Sequence, residues 1–195
     1  MTSKTISEKG ERVVVGTAVY LNGGLLYLRR ASTDSLAPNV LGVPGGHVEE
    51  TDASPCAAAR RETHEEAGIE VAESEFIELG AFGSAVKDSN GNVIARLFAH
   101  AFLVVAPQLS LDNIKINPEE HSEKLTFDMN TMYSLHNKFN GIHQEGAGNI
   151  TIDESEFFPL DVDLIRKCFP TVLETVNKRL TKLSLSNEDK IKVLV

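Results

Sequence analysis

The sequence is poor in the residues that hold together small secreted or zinc-stapled domains. Of its 195 residues, two are cysteine and none is tryptophan. Cys56 and Cys168 belong to no CxxC pair and to no close Cys/His cluster, which excludes a disulfide framework and a structural zinc site. This cysteine usage is typical of a reducing compartment, so we expect a cytoplasmic protein.

Long apolar runs and clusters of basic residues are also missing. No stretch reaches the roughly 18 apolar residues of a membrane span, and residues 1–11 are polar. The formal net charge of -9 opposes binding to a nucleic-acid backbone, which requires clustered Lys and Arg. We therefore expect neither a membrane nor a nucleic acid polymer as a partner. An acidic protein can still bind small phosphates if a divalent cation neutralises the site.

The remaining composition is that of an ordinary globular protein, with 42% hydrophobic and 24% charged residues. A chain of 195 residues is long enough to bury one full core, so one domain is the default. We expect a flexible N-terminus at 1–11, a single domain with a C-terminal helical extension at 12–183, and a peripheral tail at 184–195.

Apolar patterning predicts the main elements. Four strands are expected, at 13–21, 25–30, 76–86 and 93–105. The first has apolar residues on both faces, which indicates a central strand, and the Asn22-Gly23-Gly24 turn joins it to the second. A helical pattern covers 160–183, whereas 129–152 fits neither type of element.

A helix at 55–67 is predicted from its ends. Ser54 can accept a hydrogen bond from a free N–H at the N-cap, and Pro55 suits the first helical position. Gly68 suits the left-handed position that ends a helix.

This helix carries three glutamates on one face. Glu62, Glu65 and Glu66 stand at i, i+3 and i+4, so their carboxylates are neighbours. Together they would repel one another unless a hard cation such as Mg²⁺ (or Mn²⁺), which prefers oxygen ligands, bound them. The alternative is a solvated acidic face supported by basic neighbours. Two features favour metal binding: the glycines Gly45 and Gly46 let the backbone approach closely, and Arg61 can pair with a carboxylate.

These residues resemble the signature of the Nudix hydrolase family (MutT-like), G-x5-E-x7-R-E-U-x-E-E-x-G-U, where U is a bulky apolar residue. Its second half is matched by Arg61, Glu62, Glu65, Glu66, Gly68 and Ile69. One residue is inserted, because Gly46 stands 15 positions before Arg61 instead of 14. Counting forward puts Asp52 at the first acidic position of the signature, and counting back puts Ala53 there.

The resemblance implies an α/β fold, the Nudix α/β/α sandwich with a mixed β-sheet and a loop-helix-loop catalytic motif. It implies that Glu62, Glu65, Glu66 and the Gly45 carbonyl bind the metal, and that Arg61 orients Glu62. The general base is either a glutamate of the motif or an acid on a distal loop, where Glu119, Glu120 and Glu123 are the candidates. We place Glu120 in the catalytic set with Arg61 and the three motif glutamates, and we expect Arg29, Gly45 and Gly46 to bind substrate.

The implied function is Mg²⁺-dependent hydrolysis of a nucleoside diphosphate linked to a second group X, with a homodimer as a possible assembly. The identity of X is open, since Ser84 stands where ADP-ribose hydrolases of the family have proline. Two alternatives belong to other classes. One is a Nudix-fold module that binds a nucleotide without cutting it. The other is an isomerase of the isopentenyl diphosphate type, which would need additional catalytic Cys and Glu positions.

Overall fold

The computed structural model describes residues 11–88, 90–142 and 151–192. The predicted flexible N-terminus, apart from Glu11, and part of the ambiguous segment 129–152 lie outside these residues. The elements are β1 (Arg12–Leu21), β2 (Gly24–Arg30), β3 (Leu41–Gly42), β4 (Gly45–His47), α1 (Pro55–Ala67), β5 (Ile77–Lys87), β6 (Val93–Val105), β7 (His121–Asp128), α2 (Met129–Phe139) and α3 (Pro159–Lys192).

The strands form one mixed sheet in the order β3-β2-β1-β6-β5, with β7 added to β2 and β4 added to β1. β1 and β6 are parallel, and the other pairs are antiparallel. One edge of β1 pairs with β6. The other edge is shared by two strands: Val14–Gly16 pair with β4, whereas Tyr20 and Leu21 pair with β2. The sheet therefore separates beside the middle of β1.

β1 is central because both of its faces are buried, as its sequence predicted. Ala18 and Tyr20 pack in a cluster with α2 and α3, which contribute Leu135 and Ile165 among others. The alternate residues of β1, such as Val19, pack in a second cluster with the alanines of α1. Helices thus cover both faces of the sheet, which confirms the predicted α/β/α sandwich.

α1 begins and ends where its caps predict. The Ser54 side chain accepts a hydrogen bond from the Ala57 N–H at 3.0 Å, and Pro55 occupies the first turn. Gly68 has φ 66° and donates its N–H to the His64 carbonyl, which ends the helix. α1 is the helix of the loop-helix-loop motif.

Two helices complete the chain after β7. The Asp128 carboxylate caps α2 by accepting the N–H groups of Asn130 and Thr131. α3 begins one residue before the predicted helical pattern and continues to Lys192, so the helix extends into the segment predicted as a tail. In the part of the chain that the structure describes, no helix has the length and apolar character needed to cross a membrane.

Candidate active site

A cavity of about 350 Å³ lies against β1 and β4, beside the point where the sheet separates. Its walls come from β1, β4, α1, the loop before β7 and the start of α3. The charged residues that line it are Arg30, Glu49, Glu62, Glu66, Glu120 and Asp161. A pocket of this size is at the small end of the roughly 300–1,000 Å³ usual for small-molecule sites.

Arg61 connects the acidic residues of α1 to the preceding loop. Its Nε and Nη2 donate to the two oxygens of Asp52 at 3.1 and 3.0 Å, and Nη2 also donates to the His47 carbonyl. Its Nη1 donates to Glu62 at 2.9 Å and to Glu65 at 3.1 Å. These charge-assisted bonds hold one end of the glutamate cluster in place.

Asp52 accepts the paired bonds from Arg61, which shows how the inserted residue is accommodated. The hydrogen bonds from Arg61, with a further one from the Glu49 N–H, lower the pKa of the Asp52 carboxyl against the effect of burial. The sequence left two candidates for the first acidic position of the signature, Asp52 by counting forward and Ala53 by counting back. Asp52 is the one that contacts Arg61.

Glu62 is held at the edge of the cavity in a mostly buried position. Burial raises its pKa to about 7, with Glu66 and Glu65 adding to the rise and Arg61 opposing it. A Cβ at Gly46 would overlap the Glu62 carboxylate, so only glycine leaves this side chain its place. Gly46 therefore shapes the acidic site even though it has no side chain.

Glu66 is 4% exposed and joins α1 to β4. Its Oε2 accepts the Gly45 N–H at 2.9 Å. A Cβ at Gly45 would overlap the Val15 carbonyl oxygen and the Gly16 backbone, so the β1–β4 pairing requires glycine here. The two predicted glycines thus act differently: Gly45 permits backbone packing, and Gly46 leaves room for a carboxylate.

Glu66, Glu120 and His121 form a cluster whose potential ligand atoms all lie within 4.8 Å of one another. His121 is 4% exposed, and its Nε2 lies 3.3 Å from Glu66 Oε1. That distance is short enough for an ion pair, but the angles do not make a hydrogen bond, and neither ring nitrogen has a hydrogen-bond partner among the described residues. Burial and the proximity of Glu66 raise the pKa of the Glu120 carboxyl.

The donor set of this cavity fits a divalent cation. Three carboxylates, from Glu62, Glu66 and Glu120, crowd one small space, and burial together with the neighbouring carboxylates raises the pKa of Glu62 and of Glu120. A hard cation relieves that crowding because it prefers oxygen ligands. His121 was not predicted from the sequence; its position next to Glu120 was the only signal.

Two predicted residues lie at the margin of the site or outside it. Glu65 is on the exposed side of α1, with 54% of its side chain accessible, and pairs with Arg61. Arg29, predicted to bind substrate, points away from the cavity, where it donates to Glu123 and to the Asn39 carbonyl. Arg30 lines the cavity instead, and the pairing of β2 with β7 shifts register between these two arginines.

One wall of the cavity is formed by the first turn of α3 and the residue before it. Phe158, Leu160 and Asp161 line it. The Asp161 Oδ1 accepts the Val43 N–H at 2.9 Å, and burial raises the pKa of this carboxyl to about 7. Sequence reasoning missed Asp161, since an acid in the first turn of a helix is usually explained by the helix dipole.

Cys56 lies in the first turn of α1. Burial raises the pKa of the Cys56 thiol, with Glu73 and Glu78 adding to the rise. This is the opposite of an activated thiolate.

Comparison with known proteins gives one family. A NUDIX domain model matches residues 10–144. The m7GpppN-mRNA hydrolase NUDT17 of Bos taurus is 38% identical over 82 residues, which make up 40% of this chain and 27% of the bovine protein. The match thus spans about a quarter of that relative's length.

Two solved structures have the same fold. DR0079 from Deinococcus radiodurans superposes with a TM-score of 0.59 at 19% identity, covering 86% of this chain and 99% of the other. The MutT protein from Methanosarcina mazei Go1 gives a TM-score of 0.52 at 18% identity, covering 82% and 92%. With a family model that covers more than half of its length and this arrangement of arginine and glutamates, the chain belongs to the Nudix hydrolase family.

Proposed function

We propose that this chain is a metal-dependent pyrophosphohydrolase that cleaves a nucleoside diphosphate linked to a second group X, with Mg²⁺ or Mn²⁺ as cofactor. The observation that carries the proposal is the convergence of Glu62, Glu66 and Glu120 on one cavity of about 350 Å³. The named activity of the bovine relative, hydrolysis of m7GpppN-mRNA, supports a substrate in which phosphates join a nucleoside to another group.

Glu62, Glu66 and the Gly45 carbonyl would hold the metal, with Glu65 at the exposed edge. The bound cation supplies Lewis acidity toward the phosphates and lowers the pKa of a bound water. Arg61 orients Glu62 and Glu65 through its Nη1 bonds. Because Asp52 and the His47 carbonyl hold the opposite side of the guanidinium, Arg61 has little freedom to move.

Glu120 is the group we propose as general base. It lies on the loop before β7, within the cluster that includes Glu66, and burial and Glu66 raise its pKa, which makes the carboxylate a stronger base. Glu123 is ill-suited to this role because it is paired with Arg29 at 2.7 Å. His121 would hold Glu66 from the side opposite the Gly45 N–H.

The test measures phosphate-containing products from a panel of nucleoside diphosphate derivatives, with and without Mg²⁺. We expect turnover only with the metal, and we expect Glu65→Gln to lower turnover by at least ~10²-fold, because it removes metal-mediated transition-state stabilisation. Glu70→Gln, an exposed glutamate just beyond α1, is the matched control and should turn over like the wild type. Nucleotide binding without turnover would indicate a binding module, and wild-type turnover of Glu65→Gln would remove Glu65 from the ligand set.

A further inference from the structure

We propose that His121 is a nitrogen ligand of the divalent cation, paired with Glu66, and that it makes the site prefer a first-row transition ion such as Mn²⁺ or Co²⁺ over Mg²⁺. The inference rests on the proposed function, since it concerns the cofactor of the same site and names the class of ion. The signature on which the family resemblance rests contains no histidine, so this ligand is an addition to it.

His121 is buried beside Glu66 without a bond that explains its position. Its side chain is 4% exposed, and neither ring nitrogen has a hydrogen-bond partner among the described residues. Glu66 Oε1 lies 3.3 Å from the His121 Nε2, but the angles do not make a hydrogen bond. A buried polar group left unpaired destabilises a protein. An ion bound by both atoms would remove that penalty.

The distance between these two atoms is that of two ligands on one ion. Nitrogen and oxygen ligands lie about 2.0–2.2 Å from a transition ion such as Zn²⁺. At right or tetrahedral angles, two such atoms are therefore roughly 3.0–3.4 Å apart. The observed 3.3 Å falls within this range. Glu120 belongs to the same cluster, whose ligand atoms lie within 4.8 Å of one another, so the proposed base is a neighbour of the ion.

The loop before β7 holds Glu120 and His121 against α1. The Asn117 N–H donates to the Glu66 main-chain carbonyl at 3.4 Å, and the Asn117 carbonyl accepts the N–H groups of Glu120 and His121. The Asn117 side chain donates to Glu120 Oε1 at 3.2 Å. The loop is thus fastened to the residue whose carboxylate faces the imidazole. Ligands held in place in this way are what selective metal binding requires.

The imidazole nitrogen determines which ion binds best. Mg²⁺ prefers oxygen ligands and keeps several waters, so an imidazole adds little to its affinity. First-row transition ions accept imidazole, and their affinity for a mixed nitrogen and oxygen site rises from Mn²⁺ to Co²⁺. The carboxylates of Glu62 and Glu66 suit either class of ion. His121 therefore supplies the preference.

The experiment titrates the full chain with Mg²⁺, Mn²⁺ and Co²⁺ in turn, by calorimetry. We expect Co²⁺ to bind at least ~10-fold more tightly than Mg²⁺, with Mn²⁺ between them. The amide of glutamine can occupy the space of the ring, so His121→Gln should fold. In this variant, Co²⁺ affinity should fall by at least the ~10-fold that even an outer-shell substitution costs, while Mg²⁺ affinity changes less than ~3-fold. A histidine that only supported Glu66 would lower all three affinities together.

Pulsed electron paramagnetic resonance of the wild type with Mn²⁺ gives a second measurement, which does not depend on a variant. We expect the Mn²⁺ spectrum to show coupling to an imidazole nitrogen, and His121→Gln to lose it. His64→Gln is the matched control, since His64 is exposed on α1, and it should keep both the coupling and the order of affinities.

Three results would overturn the inference: no nitrogen coupling in the wild type, an unchanged ratio of Co²⁺ to Mg²⁺ affinity in His121→Gln, or equal losses for all three ions in that variant. Its failure is distinguishable from failure of the proposed function. Metal-dependent turnover without nitrogen coupling would reject only the role of His121. Nitrogen coupling without turnover of any diphosphate substrate would reject only the hydrolase activity.

Discussion

Replacing Gly46 with alanine tests whether the position of Glu62 determines the activity. An added Cβ would lie 2.5 Å from Cδ and 2.8 Å from Oε2 of Glu62, closer than real Cβ contacts occur. The overlap is with the end of a side chain, so Glu62 can rotate away and the main chain can stay in place. The variant should therefore fold while its Glu62 carboxylate leaves Arg61 and the cavity.

The expected change in the free energy of unfolding follows from the contacts that Glu62 would lose. Displacement breaks the 2.9 Å bond between Arg61 Nη1 and Glu62, and a hydrogen bond between charged groups contributes about 1.5–3 kcal/mol. Part of this loss is recovered, because the displaced carboxylate returns to water and no longer suffers the burial that raises its pKa to about 7. We expect the free energy of unfolding to fall by about 1–2 kcal/mol. A lost metal ligand should lower kcat/KM by at least ~10²-fold, or about 2.7 kcal/mol.

Urea unfolding, Mn²⁺ titration and hydrolysis assays measure the three consequences. Gly83→Ala is the matched control, since Gly83 lies in β5 and the nearest atom to its added Cβ would be Glu11 Oε1 at 3.6 Å. The control should stay within about 0.5 kcal/mol of the wild type and keep full turnover. If Gly46→Ala retained wild-type turnover and metal affinity, Glu62 would not be a ligand held in place by Arg61.

Three further predictions concern the same region. Gly45→Ala should lose more than ~2 kcal/mol in urea unfolding, because its Cβ would overlap the Val15 carbonyl oxygen, which is backbone; an unchanged midpoint would contradict this. Asp52→Asn should lose about 1–3 kcal/mol at pH 7. Because Arg61 lowers the pKa of Asp52 in the folded protein, this stabilisation is present above the usual pKa of 3.8 and is lost as the pH falls below it, so the difference between the two proteins in urea unfolding should shrink as the pH is lowered below 3.8. Mn²⁺ affinity, measured by calorimetry, should fall as pH drops below about 7, by up to ~tenfold per unit, because protonated Glu62 competes with the metal; a flat profile from pH 5 to 8 would refute it.

Local rules were sufficient to predict α1 and the first hairpin. The Ser54 cap, Pro55 and Gly68 act within a few residues, so the sequence contains the whole cause of the helix boundaries. The fold class followed because the apolar pattern of β1 requires cover on both faces. The cytoplasmic location and the homodimer stay predictions.

Contacts between distant segments were not predictable. Asp161 reaches Val43 across 118 positions, and no local pattern indicates that meeting. His121 enters the site through the pairing of β7 with β2, opposite Arg30. The register shifts between Arg29 and Arg30, so even the choice of the inward-facing arginine depended on an irregularity that single-sequence patterning does not reveal.

Two parts of the chain that are far apart in the sequence form the cavity. The acids around Arg61 lie on α1, whereas Phe158 and Asp161 come from the start of α3, beyond the family match. The start of α3 forms a wall of the cavity without taking part in the hydrogen bonds of Arg61. We therefore expect substitutions there to change which molecules fit the cavity while the bonds among Arg61, Asp52 and the glutamates of α1 stay in place.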